Sequence, residues 1–402
     1  MNAPGVRRLL FVRALRAFGD GYVSLLLPVY LLSLGLTPFE VGVIATATLL
    51  GSGALTLWVG LHAYRFRYRA LLIAAAMLMT ATGVGFASFS AFGPLLVIAV
   101  VGTLNPSSGD VSVFLPLEHA VLSRIVDDRR RTAVFARYSL VGALVAAFGA
   151  LCAGVPEWIA ATFAVSTIGA YQGMFGLYAL LGIASGFAYR KLPARLAADV
   201  ELSNSPLSKS RHTVYKLAAL FSLDAFGGGF IVQSLLALWL LERYQLSIAV
   251  AGTIFFWSGV FSALSYLVAT RIADRFGLVN TMVFTHLPSS LLLLMIPFAP
   301  SLGFAIALLL ARSALSQMDV PTRSSYVMAV VAPSERAAAA SLTAVPRSLA
   351  AAVSPLIAGY LLGLSSFGWP LIIAGGVKIV YDLLLLANFR SVRPPEEIAA
   401  GN

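Results

Sequence analysis

The chain has 402 residues, of which 59% are hydrophobic and only 11% charged. Soluble domains carry roughly 25% charged residues, so this composition excludes an ordinary water-soluble enzyme and points to a chain surrounded by lipid. The formal net charge of +11 is no nucleic-acid signal, because the basic residues recur in short clusters between apolar runs.

A helix needs about 20 apolar residues to cross a bilayer. Runs of that length fall at 9–34, 39–61, 70–89, 92–123, 134–155 and 160–189. A polar interval follows at 190–213, with Lys191, Arg195, Asp199, Glu201, Lys209 and Arg211. Six more runs lie at 214–241, 247–269, 279–299, 302–331, 337–363 and 366–389. The pattern predicts an all-α membrane protein with 12 transmembrane helices in two pseudo-symmetric six-helix bundles. The bundles are 1–189 and 214–402, joined by a cytoplasmic linker at 190–213. The first run is too long for a signal peptide and carries Arg13, Arg16 and Asp20, so it reads as a retained helix. The single cysteine, Cys152, is expected to act as a small hydrophobe.

Charge orients the chain. One set of loops holds Arg7 and Arg8; Arg65, Arg67 and Arg69; Arg124, Arg129, Arg130 and Arg131; the linker; Arg271 and Arg275; Arg336; and Arg390 with Arg393. The other set holds only Arg243 beside Glu242, with Glu40 and Glu157 elsewhere. The positive-inside rule makes the basic side cytoplasmic. Both termini are therefore expected in the cytoplasm, with the protein in the cell (inner or plasma) membrane.

The chain also repeats itself. Ala17-Phe18-Gly19-Asp20-Gly21-Tyr22 matches Ala225-Phe226-Gly227-Gly228-Gly229-Phe230, Asp110-Val111 matches Asp319-Val320, and Arg137 matches Arg347. The offsets are 208, 209 and 210 residues. A parallel repeat of two six-helix halves places a substrate path at the interface between the halves.

Charges inside spans are costly and mark pathways. In the first span Arg13, Arg16 and Asp20 share a face, and Arg16 with Asp20 forms an i, i+4 pair that could neutralise itself. Arg13 is expected to snorkel to the cytoplasm. The fourth span contains Asn105-Pro106-Ser107-Ser108-Gly109-Asp110, then Glu118 and His119. Pro and Gly beside polar residues predict a broken helix, and Asp110 is the leading proton-site candidate, with Asp20 as a second. His119 reads first as a structural histidine. In the seventh span Asp224 precedes Gly227-Gly228-Gly229, a run suited to bending or close packing. The tenth span carries Arg312, Asp319 and Arg323, where Asp319 is weighed equally as a transport group and as an ion-pair partner of an arginine such as Arg347. Lys378 and Asp382 in the last span are read as a self-neutralised pair. The substrate and proton pathway is thus assigned to Arg16, Asp20, Asp110, Glu118, Asp224, Arg312, Asp319 and Arg323.

The loop after the eighth span reads Thr270-Arg271-Ile272-Ala273-Asp274-Arg275-Phe276-Gly277. It resembles the signature loop of the major facilitator superfamily, with Thr270 in place of its leading Gly. The loop after the second span keeps Gly60 and Arg65, but Tyr64 stands in place of the acidic residue and Arg67 in place of the second glycine. The resemblance covers the whole chain and implies gating roles for Gly60, Arg65, Asp274, Arg275 and Gly277.

The resemblance implies secondary active transport of a small organic solute, with proton-coupled efflux by antiport as the leading form. The alternative is import or uniport of an organic anion, with Arg16, Arg312 and Arg323 as clamps. A non-transporting receptor on the same fold is a third reading. Enzyme function is not expected: His62, His119, His212 and His286 have no metal-site spacing and no phosphate loop occurs. No cofactor, metal or nucleic-acid partner is implied, and a monomer is the default.

Overall fold

The computed structural model describes residues 4–62, 66–107, 112–126, 128–192, 210–331, 335–390 and 392. Sixteen α-helices and two short 3-10 turns make up its regular structure, with no strand among the described residues. They gather into two compact units. The first comprises 1–200, 232–257 and 362–366, and the second 201–231, 258–361 and 367–402.

The first unit contains α1 (Pro4–Ser33), α2 (Pro38–His62), α3 (Tyr68–Ser88), α4 (Phe92–Val101), α5 (Phe114–Ile125), α6 (Asp128–Leu151), α7 (Val155–Phe163), α8 (Thr167–Arg190) and α10 (Gln233–Tyr244). Sequence signals set several of these ends. Thr37 and Glu40 form a reciprocal capping box before α2, Thr37 N–H donating to Glu40 Oε2 at 2.7 Å and Glu40 N–H to Thr37 Oγ1 at 3.3 Å. Ser166 caps α8 by accepting from Gly169 N–H at 3.1 Å. The second unit contains α9 (Arg211–Gly229), α12 (Leu278–Met295), α13 (Leu302–Leu315), α14 (Asp319–Val330) and α16 (Trp369–Phe389). Most of α11 (Ile248–Phe276) and α15 (Arg336–Leu364) lies there too. Gly277 joins α11 to α12 with φ of +83°, a conformation that favours glycine.

Among the described residues, eleven segments of 21–34 residues are long and apolar enough to cross a membrane. They match eleven of the twelve spans read from the sequence. The remaining one, 92–123, is broken. The first part, α4, stops at Val101, and α5 starts only at Phe114. The backbone groups freed at the break find side-chain partners. Thr103 N–H donates to Thr82 Oγ1 at 3.2 Å, and Tyr178 Oη donates to the Thr103 carbonyl at 3.1 Å. Asn105 Oδ1 accepts from Ser107 N–H at 3.1 Å. Irregular backbone at membrane depth persists only with such internal partners. A further break separates α9 from α10 after the glycine run, and at 316–318 the tenth span tightens between α13 and α14, with Ser316 and Met318 still in the helical region and Met318 N–H and Val320 N–H bonded three residues back.

Close helix packing in the first unit rests on missing side chains. Between α1 and α6, a Cβ on Gly21 would collide with the Ala146 backbone, and one on Gly149 with the Phe18 carbonyl. Small residues at membrane helix interfaces let backbones approach this closely. Gly21→Ala and Gly149→Ala should each destabilise the protein by about 1–3 kcal/mol, the scale of overpacking. Gly53→Ala and Gly173→Ala, which would meet nothing within 4 Å, should be neutral or stabilising. Thermal unfolding of the purified variants in detergent checks this, and equal effects at all four positions would refute the tight interface.

Candidate functional site

Each unit encloses its own charged cluster. In the first, the Glu118 carboxylate on α5 is fully buried and faces three donors from three other helices. Arg16 on α1 forms an ion pair with it, and Tyr138 on α6 donates a hydrogen bond to the same oxygen. Tyr189 Oη on α8 donates to the other oxygen at 2.5 Å. The guanidinium of Arg16, 1% exposed, also lies 4.2 Å from the centroid of the Phe114 ring, a cation–π contact. Arg13 is buried as well. It lies over the Tyr138 ring at 5.1 Å and fills the space that Gly142 leaves on α6. His119 packs against the rings of Phe135 and Tyr138.

In the second unit the hub is Asp224 on α9. Lys378 Nζ on α16 donates to its Oδ1 at 2.6 Å, and Arg323 Nη2 on α14 to its Oδ2 at 2.9 Å. His286 on α12 places Nε2 3.6 Å from Asp224 Oδ1. The other ring nitrogen of His286, Nδ1, lies 2.9 Å from Asp382 Oδ1. Arg323 also pairs with Asp319 one turn earlier on α14, and its guanidinium sits over the Phe221 ring at 5.2 Å. Asp319 is the first residue of α14. Arg312 on α13 and Arg347 on α15 lie within electrostatic reach of Asp224.

The structure therefore gathers Asp224, Asp319, Arg323 and Arg312 in one place, and Arg16 with Glu118 in another. It corrects several local pairings expected from spacing. Arg16 turns to Glu118, 102 residues away, with the Asp20 carboxylate within electrostatic reach of Arg16, Tyr22 and Tyr178. Lys378 gives its hydrogen bond to Asp224, and Asp382 faces His286 with Lys378 within electrostatic reach. Arg13 does not snorkel, since α6 encloses it. Arg137 is exposed, and its neighbour Tyr138 is the buried group. His286, Tyr138 and Tyr189 escaped the sequence reading. A histidine inside an apolar span, followed by Pro288, Ser289 and Ser290, was the available signal for the first.

Among the loop residues, Gly60 lies in α2 and Arg275 is exposed, stacked on the Phe276 ring at 5.4 Å. Asp110, Arg65 and the side chain of Asp274 lie outside the described residues. A separate cavity of about 220 Å³ in the first unit is lined by Val29, Leu32, Glu157, Glu242, Gln245 and Ile248, among others. Val29 is thirteen residues from Arg16, roughly 20 Å along α1 at 1.5 Å per residue, so this cavity is not the charged cluster. No group of residues suited to a metal ion occurs among the described residues.

Removing one partner from a buried ion pair strands the other charge, at a cost of about 3–5 kcal/mol. Glu118→Ala should therefore lower stability on that scale. The double variant Arg16→Met/Glu118→Leu should regain much of the loss, because well-packed apolar pairs often replace buried ion pairs without penalty. Unfolding of the purified variants in detergent reads both, and a double variant no better than Glu118→Ala would contradict the pairing.

Comparison with known proteins fits this architecture. The model of the Major Facilitator Superfamily matches residues 9–223 and 217–401. An uncharacterized membrane protein of Saccharomyces cerevisiae, YJR124C, is 24% identical, covering 94% of this chain and 92% of its own length. Among solved structures, the nucleoside transporter NupG superposes with a TM-score of 0.73 at 14% identity, over 97% of this chain and 100% of that one. The xylose transporter XylE from E. coli, in an inward open conformation, gives a TM-score of 0.73 at 14% identity, over 98% and 99%. The human organic anion transporter MFSD10 gives 0.65 at 17%, over 95% and 100%. At these identities the solved structures bear on the fold, while the family model matches nearly the whole sequence: the chain belongs to the major facilitator superfamily.

Proposed function

We propose that this protein is a secondary active transporter that exports a small organic solute by alternating access, in exchange for protons. The observation that carries the proton coupling is the placement of His286 between two carboxylates, Asp382 on one ring nitrogen and Asp224 on the other. A neutral imidazole donates from only one nitrogen, whereas the imidazolium donates from both. A proton on His286 adds a positive charge between the two carboxylates, hydrogen-bonded to Asp382 and 3.6 Å from Asp224, and its loss leaves Asp224 to Lys378 and Arg323. The other groups facing this site are Arg312 from α13, and Tyr381, whose ring centroid lies 5.8 Å from that of His286. Proton binding is thus linked to the ion pairs that join α9, α12, α14 and α16.

The same reading places the halves 1–189 and 214–402 in the cell membrane as a monomer, with the linker 190–213 and both termini cytoplasmic. The one-sided distribution of basic loops supports this orientation. Asp20 and Asp110 stand as further proton-carrying groups, and the loop residues Gly60, Arg65, Asp274, Arg275 and Gly277 as gating elements. Export rests on the resemblance of the sequence to exporters. The structural relatives have titles naming nucleosides, xylose and organic anions, so the shared fold does not choose the cargo.

A deletion strain screened against toxic compounds would supply the solute. In proteoliposomes with an acidic lumen, an outward proton gradient should then drive that solute inward, and an ionophore should abolish the accumulation. His286→Gln and Asp224→Asn should lose gradient-driven accumulation while solute-for-solute exchange continues. Accumulation indifferent to the gradient would overturn proton coupling.

A further inference from the structure

We propose that Arg312 and Arg347 receive a negatively charged group of the transported solute, which makes the cargo an organic anion bearing a carboxylate, phosphate or sulfonate. This inference rests on the transporter reading and names its substrate class. It starts from hydrogen-bond donors that lack acceptors. Arg312 Nε, Arg323 Nε and Nη1, and Tyr381 Oη are buried without a partner among the described residues. Leaving a buried donor unmade is costly, and a cluster of such donors is what an absent acceptor leaves behind. All four belong to side chains around Asp224 and Asp319.

The charges around Asp224 do not balance either. Arg312, Arg323, Arg347 and Lys378 supply four cations, against the three carboxylates of Asp224, Asp319 and Asp382. Asp224 and Asp319 are occupied by Lys378 and Arg323. Asp382 faces His286. Neither Arg312 nor Arg347 has a carboxylate within ion-pair distance among the described residues. Protonating His286 increases the cationic excess.

Arg347 is also exposed, although it lies in the apolar span Leu342–Leu364. Ala351 and Ser354, four and seven residues later on the same face of α15, pack against Gly229 and Phe226 of α9, so Arg347 lies on the face of α15 turned toward α9 and not on a lipid face. Guanidinium forks suit planar and tetrahedral oxyanions, to which they bind through two parallel hydrogen bonds. An anion of this kind would give the orphaned donors an acceptor and remove the excess charge. Arg323 gives Nη2 to Asp224 and Asp319 and contributes only Nε and Nη1 to this site, while Arg16, paired with Glu118 in the first unit, is left out.

The test is equilibrium binding to the purified protein in neutral detergent, without a pH gradient. Benzoate, phenyl phosphate and benzenesulfonate are compared with benzamide, benzyl alcohol and benzenesulfonamide by quenching of intrinsic tryptophan fluorescence. At least one anion should bind saturably and at least about tenfold more tightly than its neutral counterpart, the scale of one charge-assisted hydrogen bond. Arg312→Gln and Arg347→Gln should each weaken it by about tenfold or more, and the lysine variants should recover part of the loss. The melting temperature of Arg312→Gln should stay equal or rise, because an unpaired charge has been removed. Equal binding of neutral counterparts, no anion binding, or unchanged affinity in both glutamine variants would overturn the proposal. Displacement of the anion by short-chain phosphatidylglycerol would assign the site to a lipid headgroup and also overturn it. Because no proton gradient is present, failure here leaves proton coupling standing, and loss of coupling leaves anion binding standing.

Discussion

A charge buried among membrane helices must find its counter-charge within the protein, and this requirement organises both units. Glu118 ties α1, α5, α6 and α8 together through one ion pair and two tyrosine hydroxyls. Asp224 does the same for α9, α12, α14 and α16. Lipid supplies no hydrophobic force between helices, so packing and internal polar contacts must hold them. The glycine-lined contact of α1 with α6 supplies the packing, and these two carboxylates supply the polar contacts.

The two clusters differ in a way that bears on function. Around Glu118 one carboxylate meets one closely paired guanidinium and two tyrosine hydroxyls. Around Asp224 several cations compete for few carboxylates, and a histidine bridges two of them. A group with competing partners has more than one arrangement of similar energy, which a transport cycle needs. On the proposed reading, the second unit is the one that carries coupling.

The spans were legible because the cost of exposing backbone and polar groups to lipid forces long apolar runs. The break in 92–123 was legible as well, since Pro106 and its polar neighbours cannot continue a helix cheaply. The positions of the buried charges could also be read from the sequence, but their partners could not. Spacing rules find partners on the same helix, as with Asp319 and Arg323. They miss Arg16 with Glu118, Lys378 with Asp224 and Asp382 with His286, because the choice there is made by tertiary packing across separate helices. Tyr138 and Tyr189 were hidden for a related reason: a tyrosine in a span usually signals packing or an interface, and only the fold shows that these two end on one carboxylate.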